Sequence, residues 1–182
     1  MQTLTIDWFL EYLDKVHQRT TRVAQCIPPD RLEWSFREGK FTLGDLVRHI
    51  ATTERYMFAE TIRGQPSRYA GCGRELADGL DAVMTLRETL HGQTVEILSR
   101  LGDEALTGKC TTPDGARITV WKWLRLMMEH EIHHRGQIYV VFSHDGGPDS
   151  AALWAYVRGT RTAQGQSLIS PKYSTQKTGE LR

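Results

Sequence analysis

The chain has 182 residues, enough for one domain with a sizeable core, and its 23 basic and 22 acidic residues leave a formal net charge of +1. No stripe of lysine and arginine stands out, which argues against a nucleic-acid surface. No apolar run approaches the roughly 20 residues of a membrane helix, and the opening MQTLTIDWFLEY lacks the layout of a signal peptide, so a cytoplasmic protein is expected. The three cysteines, Cys26, Cys72 and Cys110, are far apart and form no CxxC pair. They read as reduced structural thiols, with Cys72 exposed in its glycine-rich segment.

From about Thr3 to Ile27 apolar residues recur at helical spacing (Ile6, Phe9, Leu13, Val16, Val23) until Pro28 and Pro29 end the helix. His17 lies on its apolar side, as a packed histidine or a ligand. The connection DRLEWSFREGKF carries Trp34 and Phe36, expected to pack on the core. Thr42 and Asp45 then have the spacing of a capping box, opening a second helix from about Leu43 to Arg63. His49 sits at the edge of that helix's apolar stripe, a position that suits either a ligand in a groove or a half-exposed histidine. Asp45, one turn earlier, could orient its imidazole.

After a polar, glycine-rich loop at Ser67–Gly79, a third helix is expected from about Leu80 to Leu101, with His91 near its core face. The stretch from Thr107 to Val120 contains Pro113-Asp114-Gly115 between short alternating runs and reads as a small hairpin. Thr119 opens a fourth long helix, whose core is Trp121 to Phe142. Ser150 to Arg158 reads as a short fifth helix, and residues 159–182 as a polar tail outside the domain at 1–158. The expected architecture is an all-α, antiparallel four-helix bundle.

The fourth helix carries the chemistry. Trp123, Met127, His130, His134, Ile138 and Val141 fall on one stripe at about 100° per residue. Two imidazoles at i and i+4 are about 6 Å apart along the axis and point the same way, the spacing at which one helix gives two nitrogens to one ion. Read literally, His130-Glu131-Ile132-His133-His134 is HExxH, which would make Glu131 a general base on a metal-bound water. The glycine and third histidine that continue the metzincin pattern are absent: Gly136 comes too early, and Val140 stands where that histidine would be. No GxGxxG, GxxxxGKS or GxSxG occurs.

The segments GDLVRHIA around His49 and HEIHHRGQI at 130–138, with Trp34 in the preceding connection, resemble the DinB/YfiT family of metal-binding four-helix proteins. The resemblance spans about Ile6 to Phe142. It implies a metal triad of His49, His130 and His134 with open positions for water or substrate. It leaves packing roles to His17 and His91, and a flanking place to His133 and Glu131, the latter near enough on the wheel to reach a metal-bound water. The implied cofactor is a divalent ion, zinc or nickel first, manganese or iron otherwise. The activity it implies is thiol S-transfer from a bacillithiol- or mycothiol-type cosubstrate, with metal-dependent hydrolysis or a non-catalytic metal-binding stress-response module as alternatives. The expected partners are a small-molecule substrate and a second copy of the chain in a homodimer.

Overall fold

The computed structural model describes residues 4–144, with side chains described as far as 141. The fifth helix expected at 150–158 and the tail at 159–182 lie outside the described residues. Four long helices dominate: α1 (Ile6–Gln25), α2 (Leu43–Thr53, extended without a break through Glu54–Ala59 and Glu60–Ile62), α3 (Leu80–Leu98) and α4 (Val120–His144). Between α3 and α4 lies the expected hairpin, β1 (Lys109–Thr111) antiparallel to β2 (Arg117–Thr119), with Cys110 opposite Ile118. Its turn places Gly115 at φ 87°, a left-handed conformation in which a Cβ would be strained.

The helix ends follow from local chemistry. Thr5 caps α1 by accepting a hydrogen bond from the Trp8 amide. At α2 the capping box is complete: the Asp45 amide donates to Thr42 Oγ1 at 2.9 Å, and the Thr42 amide donates to Asp45 Oδ2 at 3.0 Å. Residues Glu54–Ala59 form a π-helical stretch within α2, a wider turn that shifts the register of the helix faces downstream.

Packing closes the helices into a ring in which α1 touches α4, α4 touches α2, α2 touches α3 and α3 touches α1. Two apolar clusters fill it. One contains Val23 and Ala24 of α1, Ile27 just beyond it, Leu46 and Ile50 of α2, Val83 of α3 and Ile138 of α4. The other contains Phe9 and Leu13 of α1, Phe58, Leu98 of α3, and Leu124 and Met127 of α4. The order in which each helix meets these clusters fixes its direction. α1 and α4 run from the second cluster to the first, whereas α2 and α3 run from the first to the second. The expected all-α bundle is therefore present, but its direction is up–down–down–up, and α2 and α3 are parallel neighbours. Two parallel helices need a connection that returns along their length. The segment between Ile62 and Leu80 is that crossover.

Two details differ from the sequence expectation. Trp34 packs against the first apolar cluster, but Phe36 is 57% exposed. Cys72 is buried rather than exposed, and burial raises its thiol pKa. All three cysteines are free. Among the described residues no helix is long and apolar enough to cross a membrane.

Between the two clusters each helix contributes buried polar groups: His17 and Thr20 from α1, Glu54 from α2, Arg87 and His91 from α3, Glu131 and Arg135 from α4. This polar layer decides how the histidines and Glu131 divide between structure and site.

Candidate metal centre

His49 on α2 and His130 and His134 on α4 meet across the α2–α4 contact. Their nitrogens lie within 4.8 Å of one another, and all three residues are half-buried. His49 Nε2 is 3.1 Å from His130 Nε2. The rings are mutually tilted, by 53° for His49 and His130, 83° for His49 and His134, and 71° for His130 and His134. An imidazole lone pair lies in the ring plane, so tilted rings around a common point can aim three lone pairs at one ion.

A second group, His17, Glu54 and His91, has its ligating atoms equally close. Here the two rings stack, with centroids 3.6 Å apart and planes at only 16°. An ion in the plane of one ring would stand about a stacking distance above the other, out of reach of its lone pair. This geometry suits proton-sharing contacts instead: His91 Nδ1 lies 3.0 Å from Glu54 Oε1, and His17 Nε2 lies 3.0 Å from Glu88 Oε1. Burial lowers the His91 pKa, but the bond to Glu54 and its charge outweigh this and leave it raised. His17 is pushed down to about 2 by burial, then by the charges of Arg87 and His91. The packing roles expected for His17 and His91 follow from this arrangement.

The triad is electrostatically ready for a cation. Burial first, and then the His134 imidazole, lowers the pKa of His49 to about 4. Burial, followed by His134, His49 and His133, lowers that of His130 to about 3. His134 is also lowered, by burial against the bond to Gln137. Neutral imidazoles at neutral pH are the form that binds a metal.

The outer contacts orient these ligands. His134 Nδ1 is 2.7 Å from Gln137 Oε1. That oxygen only accepts, so Nδ1 carries the proton and Nε2 presents its lone pair. His49 Nδ1 is 2.7 Å from Tyr69 Oη and 3.3 Å from Thr53 Oγ1. With His49 Nε2 facing the triad, Nδ1–H donates to Tyr69. Asp45, one turn before His49 and able by its spacing to orient the imidazole, is engaged elsewhere: its oxygens accept from the Thr42 amide and from Arg48, and Tyr69 meets His49 Nδ1 instead. Tyr69 gave no periodic signal, since it sits in the crossover. Gln137 was findable as the residue one turn after His134. Phe41 and Phe58, which flank His49 and His130 with ring centroids at 5.4 and 5.7 Å, were not.

Glu131 is not brought to the triad. Its carboxylate is buried in the polar layer, 2.5 Å from Arg87 Nη2. Burial raises its pKa, but the Arg87 charge and hydrogen bond, with His17 and Thr20, hold it below the usual range. The same helix that turns His130 and His134 toward α2 turns Glu131 toward α3.

A Tyr69→Phe substitution removes the shorter hydrogen bond at His49 Nδ1, leaving the Thr53 hydroxyl at 3.3 Å, while preserving the packing of the ring. Metal affinity, read by competition with a chromogenic chelator, is expected to fall by about tenfold, the lower end for loss of a ligand-orienting contact. Unchanged affinity would remove Tyr69 from the site.

A half-buried three-histidine centre held between two helices of an all-α bundle is the class of site this chain defines. The comparisons bear on the family and the fold. The model of the DinB superfamily matches residues 12–138, and the chain belongs to that superfamily. It is 32% identical over 124 residues to the uncharacterized protein YjoA of Bacillus subtilis (strain 168), covering 66% of this chain and 78% of the relative. The crystal structure of YjoA, a DinB-like protein, superposes with a TM-score of 0.63 at 26% identity, covering 78% of this chain and 94% of that one. A DinB-like protein from Bacillus cereus ATCC 10987 matches in fold, with a TM-score of 0.67 at 20% identity over 80% of this chain and 95% of that one.

Proposed function

We propose that this protein is a metal-dependent enzyme whose divalent ion is held by His49, His130 and His134, and that it transfers a low-molecular-weight thiol of the bacillithiol or mycothiol type to an electrophile. The observation that carries the reading is the convergence of three mutually tilted imidazoles with their nitrogens within 4.8 Å. Imidazole donors suit zinc or nickel. A bound divalent ion supplies Lewis acidity, lowering the pKa of a thiol or water in an open position.

The chain's own groups support thiol binding in particular. Three neutral ligands leave the full double charge of the ion uncompensated, which favours an anionic thiolate as the next ligand. Gln137 and Tyr69 hold the His134 and His49 rings, while Phe41 and Phe58 limit water on two sides. Glu131 takes no part in proton transfer in this proposal, because its carboxylate is committed to Arg87. Hydrolysis is the second reading, since the same centre would activate water as readily as a thiol.

The test compares the protein as purified with the His130→Ala/His134→Ala variant. Elemental analysis is expected to find about one equivalent of zinc or nickel in the wild type and almost none in the variant, because one remaining imidazole cannot retain the ion. The metal-loaded wild type is expected to accelerate conjugation of a small thiol to an aryl halide, and the variant to leave the uncatalysed rate. Equal metal in both proteins would overturn the site. Metal without conjugation, but with ester cleavage, would move the assignment to hydrolysis.

A further inference from the structure

Four of the large apolar side chains left exposed among the described residues, Phe36, Phe41, Ile132 and Val140, line a single groove of about 1120 Å³ between the connection before α2 and the second half of α4. Such side chains scattered singly need no explanation, but gathered into one concavity they mark a binding surface. The volume lies just above the range of about 300–1,000 Å³ usual for small-molecule clefts, so the groove holds a drug-sized molecule with room to spare.

The groove leads to the candidate metal centre. Phe41, on one wall, has its ring 5.4 Å from that of His49. On the other wall, Gln137 is bonded to His134, and the His133 ring is 5.0 Å from the His134 ring. Two of the three candidate ligands are therefore touched by side chains that also line the groove. The polar groups there are equally informative. Lys40, His133 and Gln137 can all donate hydrogen bonds, and no carboxylate lines the groove among the described residues.

We infer that this groove binds the apolar body of the electrophile that receives the thiol, not the polar thiol itself: an aromatic or branched aliphatic group, neutral or anionic, whose polar end reaches the three histidines. The inference rests on the metal reading above and adds the substrate class. A cationic body is disfavoured by Lys40 and by the lack of a carboxylate. A small polar molecule would leave the exposed phenylalanines and Val140 unused.

The test uses the full chain reconstituted with zinc and two probes that share a metal-binding head, acetohydroxamate and naphthalene-2-hydroxamate. Calorimetry is expected to show the naphthyl probe binding about thirty-fold more tightly, within the range that apolar pocket contacts give. Val140 is 68% and Phe36 57% exposed, so Val140→Asp and Phe36→Asp should leave the fold intact. Each is expected to cut the preference to less than about threefold while leaving zinc content and acetohydroxamate affinity unchanged. Equal affinities in the wild type, or a preference that survives both substitutions, would overturn the groove alone. Conversion of a dimer to a monomer by these substitutions, seen by light scattering, would assign the groove to a second copy instead. Failure to retain zinc or bind acetohydroxamate at all would overturn the metal reading and this inference with it.

Discussion

Replacing Glu131 by alanine is expected to destabilise the protein by about 3–5 kcal/mol, the range for removing one partner of a buried ion pair. Arg87 is almost fully buried, and its other hydrogen bonds are long: Nη2 to the His17 carbonyl at 3.2 Å and Nε to Thr21 Oγ1 at 3.3 Å. Among the described residues its Nη1 has no hydrogen-bond partner. The carboxylate of Glu131 is the charge in contact with this guanidinium, and without it a cation is stranded between two apolar clusters. Glu131→Gln keeps an acceptor and should cost about half as much. The double variant Arg87→Met/Glu131→Leu removes both charges for apolar groups of similar length and is expected to recover most of the loss. Urea denaturation measures all four proteins. Metal content supplies the contrast: it should remain near wild type in every variant that folds. A Glu131→Gln protein with wild-type stability but no activity would reverse the assignment and restore the general-base reading of HExxH.

That contrast shows how much of the site the sequence carried. The i, i+4 spacing of His130 and His134 specified a shared direction, because a helix repeats its faces with a fixed period. The bundle followed from four amphipathic segments, and the capping box from Thr42 and Asp45. Spacing along a helix says nothing about what stands opposite. Glu131 precedes an apolar residue and follows a candidate ligand, and only the position of Arg87 on α3 shows that its carboxylate is engaged elsewhere. His49 at a stripe edge was equally compatible with solvent until α4 was placed beside it. His17 and His91 read as core residues near further ligands, and it is their parallel stacking that excludes a shared ion. The directions of α2 and α3 were hidden for a different reason: the crossover between them has no periodicity, so its path, and Tyr69 within it, depended on tertiary bonds.

Those bonds converge on Arg48, and Arg48→Ala is expected to cost about 3–4 kcal/mol and to weaken metal binding together with stability. The side chain is fully buried beside the candidate ligand His49. Its Nε donates to the Cys72 carbonyl at 2.9 Å and its Nη1 to the Ala77 carbonyl at 3.0 Å, pinning the crossover. The same guanidinium pairs with Glu33 at 2.9 Å and with Asp45 at 3.0 Å, tying down the connection before α2 and the first turn of α2 itself. Gly44 leaves room for this arrangement, since a Cβ there would stand 2.9 Å from both Arg48 Nη2 and Glu33 Oε1. Alanine at 48 would leave two buried carbonyls without donors. The two carboxylates are partly solvated, so losing their partner adds less than in a fully dry pair. Arg48→Lys keeps the charge but not the fork, and should recover less than half of the loss. The effect on the site runs through Tyr69, which the crossover carries to His49. If Arg48 acts by placing Tyr69, chelator competition will find Arg48→Ala and Tyr69→Phe non-additive in metal affinity, the double variant being little weaker than Arg48→Ala alone. Additive losses would mean that Arg48 and Tyr69 support the centre independently, and full metal affinity in a destabilised Arg48→Ala protein would separate the crossover from the site altogether.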